Sequence, residues 1–177
     1  MTDLTGKIAL ITGAASGIGL ASVDAFIAKG AQVVALDLQA QTELTLEARF
    51  GPDKVRYIQC DVTSNEALKA AIDSGADIFG GLDILFNNAG HGGTTSGIED
   101  LDFDGYDRAM NLLLRAVFAG TKFAIPHLQA RGGGVILNTS SVSAIEAGWA
   151  PITYSVAKKG VAHFSKLAAA ELAKYKI

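Results

Sequence analysis

A phenol and an ammonium stand four residues apart in Tyr154-Ser155-Val156-Ala157-Lys158. On a helix that spacing puts both on one face, one turn from each other. A free phenol ionises near pH ~10, too high for proton exchange at neutrality. A neighbouring cation favours phenolate and brings that value toward a useful range. Such pairs also occur on ordinary solvated helices, so the pair alone is a weak signal. Its context comes from Thr12-Gly13-Ala14-Ala15-Ser16-Gly17-Ile18-Gly19 near the start, Asn87-Asn88-Ala89-Gly90 mid-chain, and Ser141 a short loop ahead of the tyrosine.

Gly13, Gly17 and Gly19 follow a short apolar run and precede residues with helical periodicity. Glycine there allows a sharp turn and lets a ligand approach the backbone. A helix N-terminus behind such a turn offers free N–H groups and a positive dipole end to a pyrophosphate. The spacing is Gly-x-x-x-Gly-x-Gly, and its strand-turn-helix setting predicts dinucleotide binding. Asp37 closes the next apolar run, close to the ~20-residue interval expected for a ribose-binding carboxylate. A carboxylate there accepts hydrogen bonds from ribose hydroxyls and repels a 2′-phosphate. NAD is therefore expected over NADP, and the segment from Gly13 to Asp37 contains no arginine. Asp61 ends the third run and is a candidate for adenine contact, with a plain strand-end turn residue as the alternative.

Elements that would position these residues alternate along the chain. Strands are expected at Ile8–Ile11, Gln32–Leu36, Val55–Ile58, Asp83–Phe86 and Val135–Asn138. Helices are expected from Gly17 to Lys29, Gln39 to Phe50, a start capped by Thr63 to Phe79, Phe103 to Ala130, and Ile152 onward. Gly30 should stop the first helix. Pro126 should bend or break the long one near Ile125. Buried-looking strands alternating with helices imply one α/β domain, a doubly wound parallel sheet in three α/β/α layers. The expected strand order is 3-2-1-4-5, the Rossmann arrangement.

The 177 residues suffice for a single domain, and 49% apolar with 19% charged residues excludes a disordered chain. A net charge of -3 gives no electrostatic case for nucleic acid. The single cysteine, Cys60, cannot form an internal disulfide and fits a reducing compartment. His91, His127 and His163 are scattered without ligand spacing, so no metal is expected. The N-terminus shows no basic leader with an apolar stretch, and no window has a membrane-spanning length. A cytoplasmic protein without membrane partners is the expectation.

Taken together, Thr12-Gly-x-x-x-Gly-Ile-Gly19, Asp61-Val62, Asn87-Asn-Ala-Gly90, Asn111, Ser141 and Tyr154-x-x-x-Lys158 resemble the short-chain dehydrogenase/reductase family, in order and over the whole chain. The resemblance implies an oxidoreductase moving a hydride between NAD(H) and a secondary alcohol or ketone. It implies a catalytic set of Asn111, Ser141, Tyr154 and Lys158. Tyr154 would exchange a proton with the substrate oxygen, Lys158 would lower the tyrosine's pKa and hold the nicotinamide ribose, Ser141 would orient the substrate, and Asn111 would position a relay water. Cofactor contacts are implied at Gly13, Ser16, Gly17, Ile18, Gly19, Asp37, Asp61, Val62, Asn88, Ala89, Gly90, Tyr154 and Lys158, with Asn87, Ala89 and Gly90 lining the cofactor cleft and supporting the central strand.

Ser140 and Ser143 compete with Ser141, and the family's serine–tyrosine interval selects Ser141. Trp149 is a candidate for substrate contact or for packing. Family members continue past this point with further strands and a substrate lid, so the resemblance implies that C-terminal strands are missing. The fifth strand would then be an apolar edge, and the last helix would need a covering surface for Val161, Phe164, Leu167 and Leu172. A dinucleotide-binding module with little turnover is the alternative to an enzyme. An epimerase or dehydratase is a third reading, disfavoured by the glycine spacing. A homo-oligomer is expected through the helix from Phe103 and the last helix.

Overall fold

The computed structural model describes residues 3–40 and 46–177. Five parallel strands form one sheet, β1 (Ile8–Thr12), β2 (Gln32–Asp37), β3 (Val55–Gln59), β4 (Ile84–Asn87) and β5 (Val135–Asn138), in the order β3-β2-β1-β4-β5. This is the expected order. The central strands are buried along almost their whole length, as sheets covered on both faces require. β1 runs in register with both neighbours, Ile8 opposite Gln32 and Ala9 opposite Ile84.

Alternation along the strands sorts the core into layers. Leu10, Val34, Leu36 and Leu85 point to one side, where they meet Leu68 and Ile72 of α3 (Asn65–Phe79) and Ala124 and Leu128 of α5 (Ala116–Ala130). Ile11, Val33, Ala35 and Val55 point to the other, against Val23 of α1 (Gly17–Ala28) and Leu46 of α2 (Leu46–Phe50). A smaller cluster joins Ala109 of α4 (Phe103–Met110), Leu113, and Ala157 of α6 (Ile152–Leu172). That cluster seats the helix carrying Tyr154 and Lys158.

Local details correct three expectations. The cap of α3 is Ser64, whose hydroxyl accepts from the Ala67 N–H, while Thr63 turns back to bond Asp61. Asp61 offers a carboxylate two residues away, and the Thr63 hydroxyl takes it in preference to the helix. Pro126 does not break the long helix, which runs through it to Ala130. Buried Thr121, Ala124 and Leu128 pack that stretch from both sides of the proline, and packing outweighs the lost backbone bond. The interruption falls at Asn111–Arg115, a π-helical turn between α4 and α5. The helix expected from Gln39 to Phe50 is observed only as Leu46–Phe50; Gln39 and Ala40 are not helical, and 41–45 lie outside the described residues. β5 is an edge strand with Val135 and Leu137 half exposed.

Candidate active site

The turn after β1 is built by its glycines. Gly13 and Gly17 both have positive φ, 68° and 53°, a region that costs other residues strain. A Cβ on Gly13 would come within 2.9 Å of the Ala89 Cα, so the turn packs directly on the segment after β4. A Cβ on Gly19 would run into the Gly13 carbonyl, so this glycine shapes the turn from beneath. A Cβ on Gly17 would meet nothing within 4 Å, so its face is open. Ser16 makes no side-chain bond to the start of α1, and that helix end has no side-chain cap from it.

One residue ties the glycine-rich turn to the segment after β4. Thr12 Oγ1 accepts from the backbone N–H of Asn88 and of Ala89, at 2.9 and 3.0 Å. Asn88 Nδ2 donates back to the Thr12 carbonyl at 3.1 Å. Asn87 Nδ2 donates to Asn138 Oδ1 across β4 and β5 at 2.9 Å, and Asn138 Nδ2 to Ser165 Oγ of α6 at 2.9 Å. These bonds lock the carboxyl ends of β1, β4 and β5 to the helix bearing the phenol.

The strand order reverses beside β1, and a cleft of about 890 Å³ opens there at the carboxyl ends of the strands. Of the residues singled out from the sequence, Gly13, Ser16, Gly17, Ile18, Asp37, Asp61, Val62, Asn88, Ala89, Gly90, Asn111, Tyr154 and Lys158 line it. Gly19 does not, being packed under the turn. Ser141 does not either; it caps a short 3₁₀ turn, and its Oγ accepts from the Ser143 N–H and hydroxyl at 3.2 and 3.0 Å. Ser140 donates to the Lys158 carbonyl and pins α6. Trp149 is exposed and packs in no core.

Lys158 is buried to 3% exposure, and its ammonium donates to the Thr139 carbonyl at 2.7 Å. It lies 5.6 Å from the centre of the Tyr154 ring. Burial holds its pKa below the ordinary lysine value. Asp37 is also buried, and its carboxylate accepts from the Ala15 and Gln39 N–H groups at 2.9 and 3.1 Å. Asp61 accepts from the Thr63 N–H and hydroxyl. Asn111 opens the π-helical turn and accepts from Arg115 at 3.0 Å.

Leu38, Cys60, Arg108 and Thr139 also line the cleft without having been singled out for it, together with His91, weighed from the sequence only as a metal ligand. Cys60 and Thr139 directly follow β3 and β5, so the rule that ligands meet carboxyl ends of strands was a usable signal. Arg108 precedes Asn111 by about one helical turn, a weaker one. Burial, then the Asp61 charge, push the Cys60 thiol up to about 11, so it stays protonated and unreactive at neutral pH. Among the described residues, no group of three His, Cys, Asp or Glu is placed to hold a metal. Nor is any helix long and apolar enough to cross a membrane.

Known proteins resemble this chain in sequence and fold. The family profile described as short chain dehydrogenase matches residues 7–177. Short-chain dehydrogenase reductase 3b of Arabidopsis thaliana is 39% identical over 175 residues, covering 98% of this chain and 68% of the relative. (+)-Borneol dehydrogenase 2 of Salvia officinalis is 37% identical over 176 residues, covering 98% and 62%. A crystal structure of a putative short-chain dehydrogenase/reductase from Burkholderia xenovorans superposes with TM-score 0.89 at 33% identity, covering 97% of this chain and 71% of that one. The chain spans about two thirds of the length of the curated relatives it matches, 64%, 66% and 68% for three of them. A glycine-rich turn, a sheet of this order and a matching profile over nearly every residue lead to one conclusion: the chain belongs to the short-chain dehydrogenase family.

Proposed function

We propose that this chain carries the catalytic site of an NAD-dependent oxidoreductase acting on a secondary alcohol or its ketone. The observation that carries this reading is the shared cleft, lined both by Gly13, Ser16, Gly17 and Asp37 and by Tyr154 and Lys158. The open face of Gly17 and the uncapped start of α1 fit a pyrophosphate. Asp37 fits the adenosine ribose, since each of its oxygens keeps a lone pair beyond its backbone bond. Exposed Leu38 and buried Val62, both lining the cleft, offer apolar walls for adenine. A bound nicotinamide supplies the hydride.

What this chain's own residues do is manage one proton and one oxygen. Tyr154 donates its proton to the carbonyl oxygen as a ketone is reduced, and takes it back as an alcohol is oxidised. The neighbouring ammonium of Lys158 favours the phenolate. Ser141 stands two residues beyond Thr139, which lines the cleft; it accepts two hydrogen bonds from Ser143, and its own O–H is the donor assigned to the oxygen where charge grows. Asn111 holds a water that passes the proton outward. Small alcohols or ketones are the partners of this cleft; its walls give no reason to invoke nucleic acid or membrane, and a reducing cytoplasm suits the free thiol.

The protein acts as a homo-oligomer. A groove of about 500 Å³ runs between α5 and α6, walled by Phe118, Phe164 and exposed Leu167, with the two phenyl rings stacked 3.8 Å apart. A second copy would cover this apolar strip.

Titrating the protein into NADH while following nicotinamide fluorescence, then adding a panel of small ketones, tests the enzyme. Binding followed by NADH oxidation supports it. Binding with no oxidation by any ketone sinks it and leaves a dinucleotide-binding module.

A further inference from the structure

Thr139 sits where three parts of the cleft meet. It directly follows β5, and its N–H donates to the Asn87 carbonyl at 3.0 Å, extending the sheet by one step. Its hydroxyl donates to Asn88 Oδ1 at 3.1 Å. Its carbonyl accepts the Lys158 ammonium at 2.7 Å. Asn88, through its other amide atom, holds the Thr12 carbonyl. An unbroken set of hydrogen bonds therefore leads from the glycine-rich turn through Asn88 and Thr139 to the buried lysine.

We propose that Thr139 is a positioning residue, whose hydroxyl anchors its own peptide to Asn88 so that its carbonyl seats the Lys158 ammonium. The inference rests on the roles of Tyr154 and Lys158 given under the proposed function. A valine or isoleucine would suit the strand equally well, and only a hydroxyl makes the bond to Asn88. Without it, Asn88 Oδ1 loses its donor, and the peptide that carries the carbonyl loses one of its ties. Tyr154 lies on its own helix, the segment after β4 meets it at Gly90, which is uncharged, and the other titratable or charged groups lining the same cleft are Asp37, Asp61, His91 and Arg108. The Thr139 carbonyl is thus the acceptor that favours the charged lysine against burial, and loosening it favours the neutral amine. A neutral amine leaves no positive charge beside the Tyr154 ring.

The test compares wild type, Thr139→Val and Thr139→Ser. The Lys158 ε-carbon signal, assigned by its loss in Lys158→Met, is followed by NMR across pH without cofactor or substrate. In Thr139→Val its midpoint should fall by about half a pH unit or more, and Thr139→Ser should keep the wild-type midpoint. In alcohol oxidation with NAD, the acid limb of the kcat profile should move up for Thr139→Val alone. A residue that merely supports the fold would lower Tm and leave both midpoints in place, and that result overturns the proposal. If Thr139→Val does not fold, Thr139→Ala removes the hydroxyl without adding bulk and carries the same readings. If the wild type oxidises no alcohol, the enzyme reading fails, while the lysine titration still decides the role of Thr139.

Discussion

Tyr154 and Lys158 share one turn of α6 but not one environment: the phenol borders the cleft, whereas the lysine is sunk to 3% exposure and anchored to the end of β5. Replacing Tyr154 with Phe removes the proton and little volume. Turnover should fall at least ~100-fold with NADH affinity held within about twofold, read by steady-state kinetics beside fluorescence titration. Asp37 holds the Ala15 N–H of the turn while lining the cleft, where the proposed function gives its carboxylate the adenosine ribose. Asp37→Asn keeps an acceptor and deletes the charge. The NAD-over-NADP preference should drop about tenfold, roughly 1.4 kcal/mol, and an unchanged ratio of Kd values would remove Asp37 from cofactor selection. The spacing of these residues was legible from the chain because it is local, one helical turn or one turn-and-strand interval. That Ser141 accepts from Ser143 was not, because it depends on Ser143 folding back in a 3₁₀ turn.

Elements bring their own constraints. At the opposite end of the sheet, buried Asp83 accepts from the Ile8 N–H at 3.0 Å and from Arg131 at 3.1 Å, with Lys7 at 3.4 Å. It ties β1 and β4 to the residue that ends α5. Burial pushes its carboxyl up, but bonds from Arg131 and the Ile8 N–H, with the Arg131 and Lys7 charges, outweigh it and leave the pKa below the usual value. A carboxylate depressed in the folded state adds stability above its unfolded pKa of ~3.9, and that stability is lost as pH falls through the lower folded value. Asp83→Asn should cost about 1–3 kcal/mol at neutral pH, and its Tm should fall less than wild type on acidification below pH ~4. Equal acid sensitivity in the two proteins would take Asp83 out of this role. The helix from Phe103 was legible by periodicity, whereas its π-helical turn at Asn111 carries no local signature and arises where α4 and α6 pack together. Pro126 misled for the same reason, since the proline signal is local and the packing that overrides it is not.

For the whole molecule, the apolar strip on α5 and α6 is the feature that a monomer leaves unexplained. Leu167→Glu places a charge on an exposed position, so it should spare the fold. Sedimentation velocity should show the proposed homo-oligomer in wild type and monomers in the variant, and the same distribution for both would remove this strip as the contact. The sheet order was within reach of the sequence because buried apolar runs, their helical spacers and right-handed crossovers admit few arrangements. The glycine turn, the carboxylate that closes the second strand and the Tyr–Lys turn were likewise written in spacing, each read in the company of the others. Tertiary structure alone decided that Thr139 receives the lysine, that Asn88 joins it to Thr12, and that Cys60 lies inert in the cleft wall. Those contacts link residues 19 to 76 positions apart in the chain. Local periodicity says which face a side chain takes, but which distant partner meets it is settled only when the strands pair and the helices pack.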